Sequence, residues 1–190
     1  MSWIRAVPVE NAPAELRPLY ERLRARSSRG RVSNLWQTCA LDARALETLV
    51  AHHQALMADT APLTVAQAEL IAVVVSATNG CGYCVAHHGP RLAKAAGDPA
   101  LARAVARDYR EANLAARDRV LLDCAVALTC EPAERTRADV ERLREYGWDD
   151  AAILKATAIT AFYNLVNRLV SALGVDNEDG LEPWEFGAQR

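Results

Sequence analysis

Apolar residues recur along this chain at three- and four-residue spacing, the period of a helix. Leu16, Leu19, Tyr20 and Leu23 follow Pro13 at that spacing and predict a first helix from Pro13 to about Arg26. A polar break at 27–31 ends it, and Asp42 caps a helix running to about Ala58. Thr64 and Gln67 form a capping box before a long apolar run, which should stop at Asn79-Gly80 because glycine accepts the left-handed conformation. The next helix starts at or beside Cys81, and Gly89-Pro90 should kink or break it. Four more are predicted at about 99–109, 113–128, 136–146 and 149–173. The last of these is long and apolar.

Period-two alternation is scarce, and Val73-Val74-Val75 lies inside a helical pattern. Alanine occurs 37 times in 190 residues. The prediction is an all-α fold: a single-domain helical bundle of seven to eight helices over 1–190, with an N-terminal helix and arm at 1–32. Residues 175–190 are acidic and then carry Trp184 and Phe186, which suggests a docking tail.

Composition narrows the function classes. The formal net charge is −2, so nothing favours a nucleic-acid partner. The most apolar stretch, Leu70 to Val75, is far too short for a membrane span. Five cysteines without a charged-then-apolar leader point to a reducing cytoplasm rather than a disulfide framework. In that compartment a Cys-x-x-Cys is read as redox or metal chemistry.

The chemistry concentrates in Glu69 to His88. With Cys81 at a helix start and about 100° per residue, Cys84 lies about −60° and His88 about −20° from it, so two thiols and an imidazole share one stripe. His87, at about −120°, falls off the stripe. A helix N-terminus favours thiolate, and an imidazole can carry the proton. A second thiol three residues away can close a disulfide on an oxidised first one. His88, four residues beyond Cys84, is placed to hydrogen-bond that sulfur. Glu69 stands on a helix face with Val65, Ala72, Val73 and Ser76, and a carboxyl there needs a partner. The turn at Asn79-Gly80 lets it lie beside the cysteine helix. Helix position favours Cys81 as the reactive sulfur and His88 favours Cys84, so the choice stays open at this level.

Glu69, eleven residues, Cys81, Gly82-Tyr83, Cys84, three residues and His88 match the signature of alkylhydroperoxidase D-like (AhpD-like) proteins, a branch of the carboxymuconolactone decarboxylase superfamily. Asn34-Leu35-Trp36 and the segment Ala161 to Arg168 also resemble its peroxidase-related subgroup. The resemblance implies a thiol peroxidase that reduces organic or hydrogen peroxide. Cys84 would carry the sulfenic acid, Cys81 would give a proton and then resolve it as a disulfide, and Glu69 with His88 would form the proton relay. It also implies a homo-oligomer, trimer or hexamer, with no bound cofactor. The reductant would be a dithiol protein or small thiol, with lipoyl-type dithiols among the candidates. One departure stands out: Tyr83 occupies a position where characterised peroxidases of the family tend to place histidine.

The same residues admit other readings. Cys81, Cys84, His87 and His88 are four zinc-type ligands, but one helix cannot easily close them into a tetrahedron, so no metal is expected. A redox-responsive binding or regulatory protein without efficient turnover is the alternative function. His52 and His53 read as partly exposed helix residues, Cys124 as core, and Asn164 and Asn167 as structural polar groups.

Overall fold

The computed structural model describes residues 2–187 and 189. Among them lie nine α-helices, two short 3-10 helices (Val9–Asn11 and Pro132–Glu134) and no strand. In chain order the α-helices are α1 (Arg17–Arg26), α2 (Asn34–Cys39), α3 (Ala43–Met57), α4 (Val65–Thr78), α5 (Gly82–Ala96), α6 (Pro99–Asp108), α7 (Ala116–Cys130), α8 (Arg137–Glu145) and α9 (Asp150–Leu173). The all-α class follows the periodicity, and most boundaries fall where the caps put them. Asp42 accepts from the Ala45 N–H at 2.9 Å, and Thr64 and Gln67 complete both halves of their capping box.

Three expectations need correction. One helix more than the predicted maximum is present, because Asn34–Cys39 forms α2, a stretch too short to show periodicity. α1 begins at Arg17 rather than Pro13, with Pro18 in its first turn. α5 runs unbroken through Gly89-Pro90. An interior proline costs about 3 kcal/mol in an open helix, but Val85, Ala86 and Leu92 on either side are fully buried, and their packing outweighs that cost.

The core is built around α4. Every residue from Ala68 to Thr78 is buried, as suits a helix that is apolar on all sides. α5, α6, α7 and α9 pack around it. A smaller cluster of Ala12, Leu16, Leu19, Tyr20, Val32, Ala40, Leu46 and Val50 forms beneath α1 to α3. No helix among the described residues is long and apolar enough to cross a membrane.

Two features position the site. Gly80 takes φ +69°, and the reversed chain is tied by the Cys81 N–H donating to the Ser76 carbonyl at 2.8 Å. The segment after α9 then runs back over α5 and α6. Trp184 lies against Gly89, where a β-carbon would stand 2.4 Å from the indole, and Phe186 lies against Gly82. Gln189 is buried with its amide donating to the Val105 and Ala106 carbonyls at 2.7 and 2.9 Å.

Candidate active site

Cys81 is the N-cap of α5 and Cys84 lies in its first turn. Both are free thiols, each 2 % exposed. Their proton affinities are pulled apart. A hydrogen bond from the Cys84 thiol holds the Cys81 thiol below its ordinary value, despite the opposing effect of burial. The same bond, with burial, pushes Cys84 well up. The reduced pair therefore carries its first negative charge on Cys81, at the positive end of the helix.

Glu69 reaches the adjoining helix. Its Oε2 lies 2.7 Å from His88 Nδ1, and the residues are 5 % and 6 % exposed. Burial drives the His88 pKa below its ordinary value although Glu69 pulls the other way, so the imidazole is a neutral base rather than a fixed cation. Tyr163 packs its ring edge-on to His88 at 4.8 Å, with its hydroxyl 3.5 Å from Nδ1.

The hydrogen bond expected between His88 and Cys84 is not what surrounds the sulfurs. Their polar neighbours are each other, Ser76 and Asn167. The Asn167 amide donates to Ser76 Oγ at 3.1 Å, and the Asn79 amide donates to Asn167 and Asn164 at 3.0 Å each. Asn167 is thus a site residue that sequence reasoning treated as structural. The available signal was two asparagines three apart on an otherwise apolar helix.

His53 is partly exposed on its helix, as expected, but it is also part of an aromatic cluster. It is half-buried on α3, ring-packed against Trp36 and Phe162 at 5.9 and 5.7 Å. Burial, with repulsion from His88 when that ring is protonated and from Arg91 and Arg26, lowers its pKa to about 3. Phe162 packs on Tyr163, so an aromatic row leads from His88 to the surface of α3. Cys124, expected in the core, is half-buried against α8 and α9, and Cys130 is exposed.

His87 follows the wheel and leaves the stripe. Its Nε2 lies 2.8 Å from Glu178 Oε2 in the returning segment. The Tyr83 hydroxyl donates to Glu178 Oε1 at 2.7 Å, and the Asn34 N–H donates to the same oxygen at 2.6 Å. The Leu35 N–H donates to the Tyr83 oxygen at 3.3 Å. Burial would raise the Glu178 pKa, but these three donors together lower it to about 2. The two imidazoles take different carboxylates, so Cys81, Cys84, His87 and His88 do not converge on one point.

This geometry can be set beside known proteins. The profile of the Carboxymuconolactone decarboxylase family matches residues 43–108. An uncharacterized peroxidase-related protein from Silicibacter sp. TM1040 is 34 % identical, with 89 % of this chain and 87 % of that one covered and a TM-score of 0.82. A Ralstonia eutropha JMP134 structure, described as an alkylhydroperoxidase AhpD core, is 32 % identical over 95 % of this chain and 94 % of that one, with a TM-score of 0.86. The chain belongs to the AhpD-like branch of the carboxymuconolactone decarboxylase family. The debrominase Bmp8, seen with 2,3,4-tribromopyrrole, shares the AhpD-like fold at 18 % identity and a TM-score of 0.77, covering 94 % of this chain and 95 % of that one. No curated protein matches the sequence. Family membership makes an enzyme the general expectation.

Proposed function

We propose that this AhpD-like protein is a thiol peroxidase that cycles Cys81 and Cys84 between dithiol and disulfide. The observation that carries the reading is the split pair of thiols at the α5 N-terminus, beside a buried carboxylate–imidazole pair. Cys84 sulfur attacks one peroxide oxygen: the S–O bond forms, the O–O bond breaks, and Cys84 becomes a sulfenic acid. Its proton passes to the resting Cys81 thiolate and on to the alkoxide, which leaves as an alcohol. Cys81 then attacks the sulfenyl sulfur, forming the disulfide and expelling hydroxide, which leaves as water with a proton drawn from solvent and relayed by the Glu69–His88 pair. An external dithiol reduces the disulfide and is itself oxidised to a disulfide.

Steady-state peroxide consumption with dihydrolipoamide or dithiothreitol tests this. Multiple turnovers are expected, with Cys81→Ser trapping a sulfenic acid at Cys84 after one equivalent of peroxide. Labelling of Cys81 at wild-type rate in Cys84→Ser would reverse the order of the sulfurs. The near-complete burial of both sulfurs favours a second reading, a redox-responsive protein that is oxidised once and waits. Stoichiometric oxidation that stops with every donor would select it.

A further inference from the structure

We propose that Glu178, far from the Glu-Cys-Cys-His motif in sequence, is a positioning residue for the dithiol: through Tyr83 and His87 it holds the first turn of α5 in the conformation that keeps Cys81 reactive. The inference rests on Cys81 and Cys84 being the reactive pair. Its support is separate from the motif.

One carboxylate gathers three groups from two helices. Glu178 Oε1 accepts from the Asn34 N–H at the start of α2 and from the Tyr83 hydroxyl, and Oε2 meets His87 Nε2. Tyr83 and His87 flank Cys84 on α5, one residue before it and three after. Tyr83 is held a second time, by the Leu35 N–H. Phe186 seats on Gly82 and Trp184 on Gly89, with Arg103 stacked 4.8 Å over the indole. On the helical wheel, positions 82, 83, 87 and 89 spread over the side of α5 opposite the Cys81–Cys84–His88 stripe. The thiols thus face inward, and the returning segment braces the turn from behind.

The consequence for Cys81 has a sign. Its thiolate depends on the Cys84 thiol and the Cys84 N–H, both in the first turn of α5, and on the Asn167 amide, which meets that turn from α9. A turn free to fray loses those donors, and Cys81 becomes a poorer thiolate. A bare charge effect runs the other way, because removing a nearby carboxylate favours thiolate. A role confined to holding the fold together lowers melting temperature but leaves thiol reactivity of the folded protein unchanged.

The experiment measures alkylation of Cys81 by iodoacetamide at pH 7 in the reduced full chain, with mass mapping of the site. Alkylation needs no peroxide turnover, so it stands even if the peroxidase reading fails. Glu178→Ala should slow Cys81 alkylation about three- to tenfold, the scale of one or two lost hydrogen bonds. Glu178→Gln keeps an acceptor for the Asn34 N–H and Tyr83 and should recover most of that rate. Tyr83→Phe removes a single hydroxyl and should slow alkylation in the same direction, so the idea stays testable if Glu178→Ala does not fold. The double variant should be no slower than Glu178→Ala alone. Alkylation at or above the wild-type rate in folded Glu178→Ala, or an unchanged rate in Tyr83→Phe, overturns the proposal.

Discussion

His87 and His88 are adjacent on one helix, and each meets a carboxylate, at 2.8 and 2.7 Å. They serve different parts of the molecule. The 100° turn between them sends His88 inward, where its partner Glu69 comes from the central helix, and His87 outward, where its partner Glu178 comes from the segment after α9. Burial dominates the inner pair and holds His88 neutral. Multiple donors dominate the outer pair and hold Glu178 ionised. Equal contact distances therefore sit in different electrostatic settings: burial rules at His88 and donor number at Glu178.

The inner pair should matter most to chemistry. His88→Ala and Glu69→Gln should each lower the peroxide rate by roughly one to three orders of magnitude, the usual scale for acid–base groups, with helical content kept. His87→Ala should cost far less. Steady-state peroxide turnover with a dithiol donor, which includes the resolving step, checks this, and equal losses at both histidines would erase the distinction between the pairs.

Gly89→Ala sharpens the comparison from the outer side. A β-carbon there would stand 2.4 Å from the Trp184 ring, so the returning segment must shift. Overpacking of this kind should destabilise the protein by about 1–3 kcal/mol, read from the urea midpoint with tryptophan fluorescence. An unchanged midpoint would mean that the segment is not seated on α5.

Asn167 stands at both sulfurs and bears on the inner side alone. Asn167→Ala should slow Cys81 alkylation at pH 7 by about two- to tenfold, the worth of one hydrogen bond. Alkylation by iodoacetamide reads this directly, and an unchanged rate would return Asn167 to a purely structural role.

Acid separates the pairs most gently. His88 has a folded pKa below its ordinary 6.5, so the unfolded chain takes that proton first and stability falls as pH drops below 6.5. Glu178 is depressed to about 2 from an ordinary 4.5, so its contribution is complete above about 4.5 and is lost as pH falls toward 2. Melting temperature should start to fall below pH 6.5, and fall less in His88→Ala. Hydrogen exchange at the Asn34 amide, bonded to Glu178, should stay protected until the pH is below about 4.5. Early opening of that amide near pH 6 would merge the two pairs into one response.

The inner half of the site was legible in the linear sequence because it is local. Thr64 and Gln67 fix where α4 starts, Gly80 supplies the positive φ that reverses the chain, and the wheel then puts Cys81, Cys84 and His88 on one stripe with Glu69 close by. Apolar period and caps likewise determined the all-α class and the limits of most helices. Other features had no local signal. α2 is shorter than two helical turns, and Pro90 stays helical only because the residues around it are buried. Asn167 meets the sulfurs 83 residues after Cys84, and Glu178 meets His87 across 91 residues. The sequence showed an acidic, aromatic segment after α9. Only tertiary packing decided that it folds back on α5, because the positions that receive it, two glycines, a tyrosine and a histidine, become a docking face once α4 has claimed the opposite side of the helix.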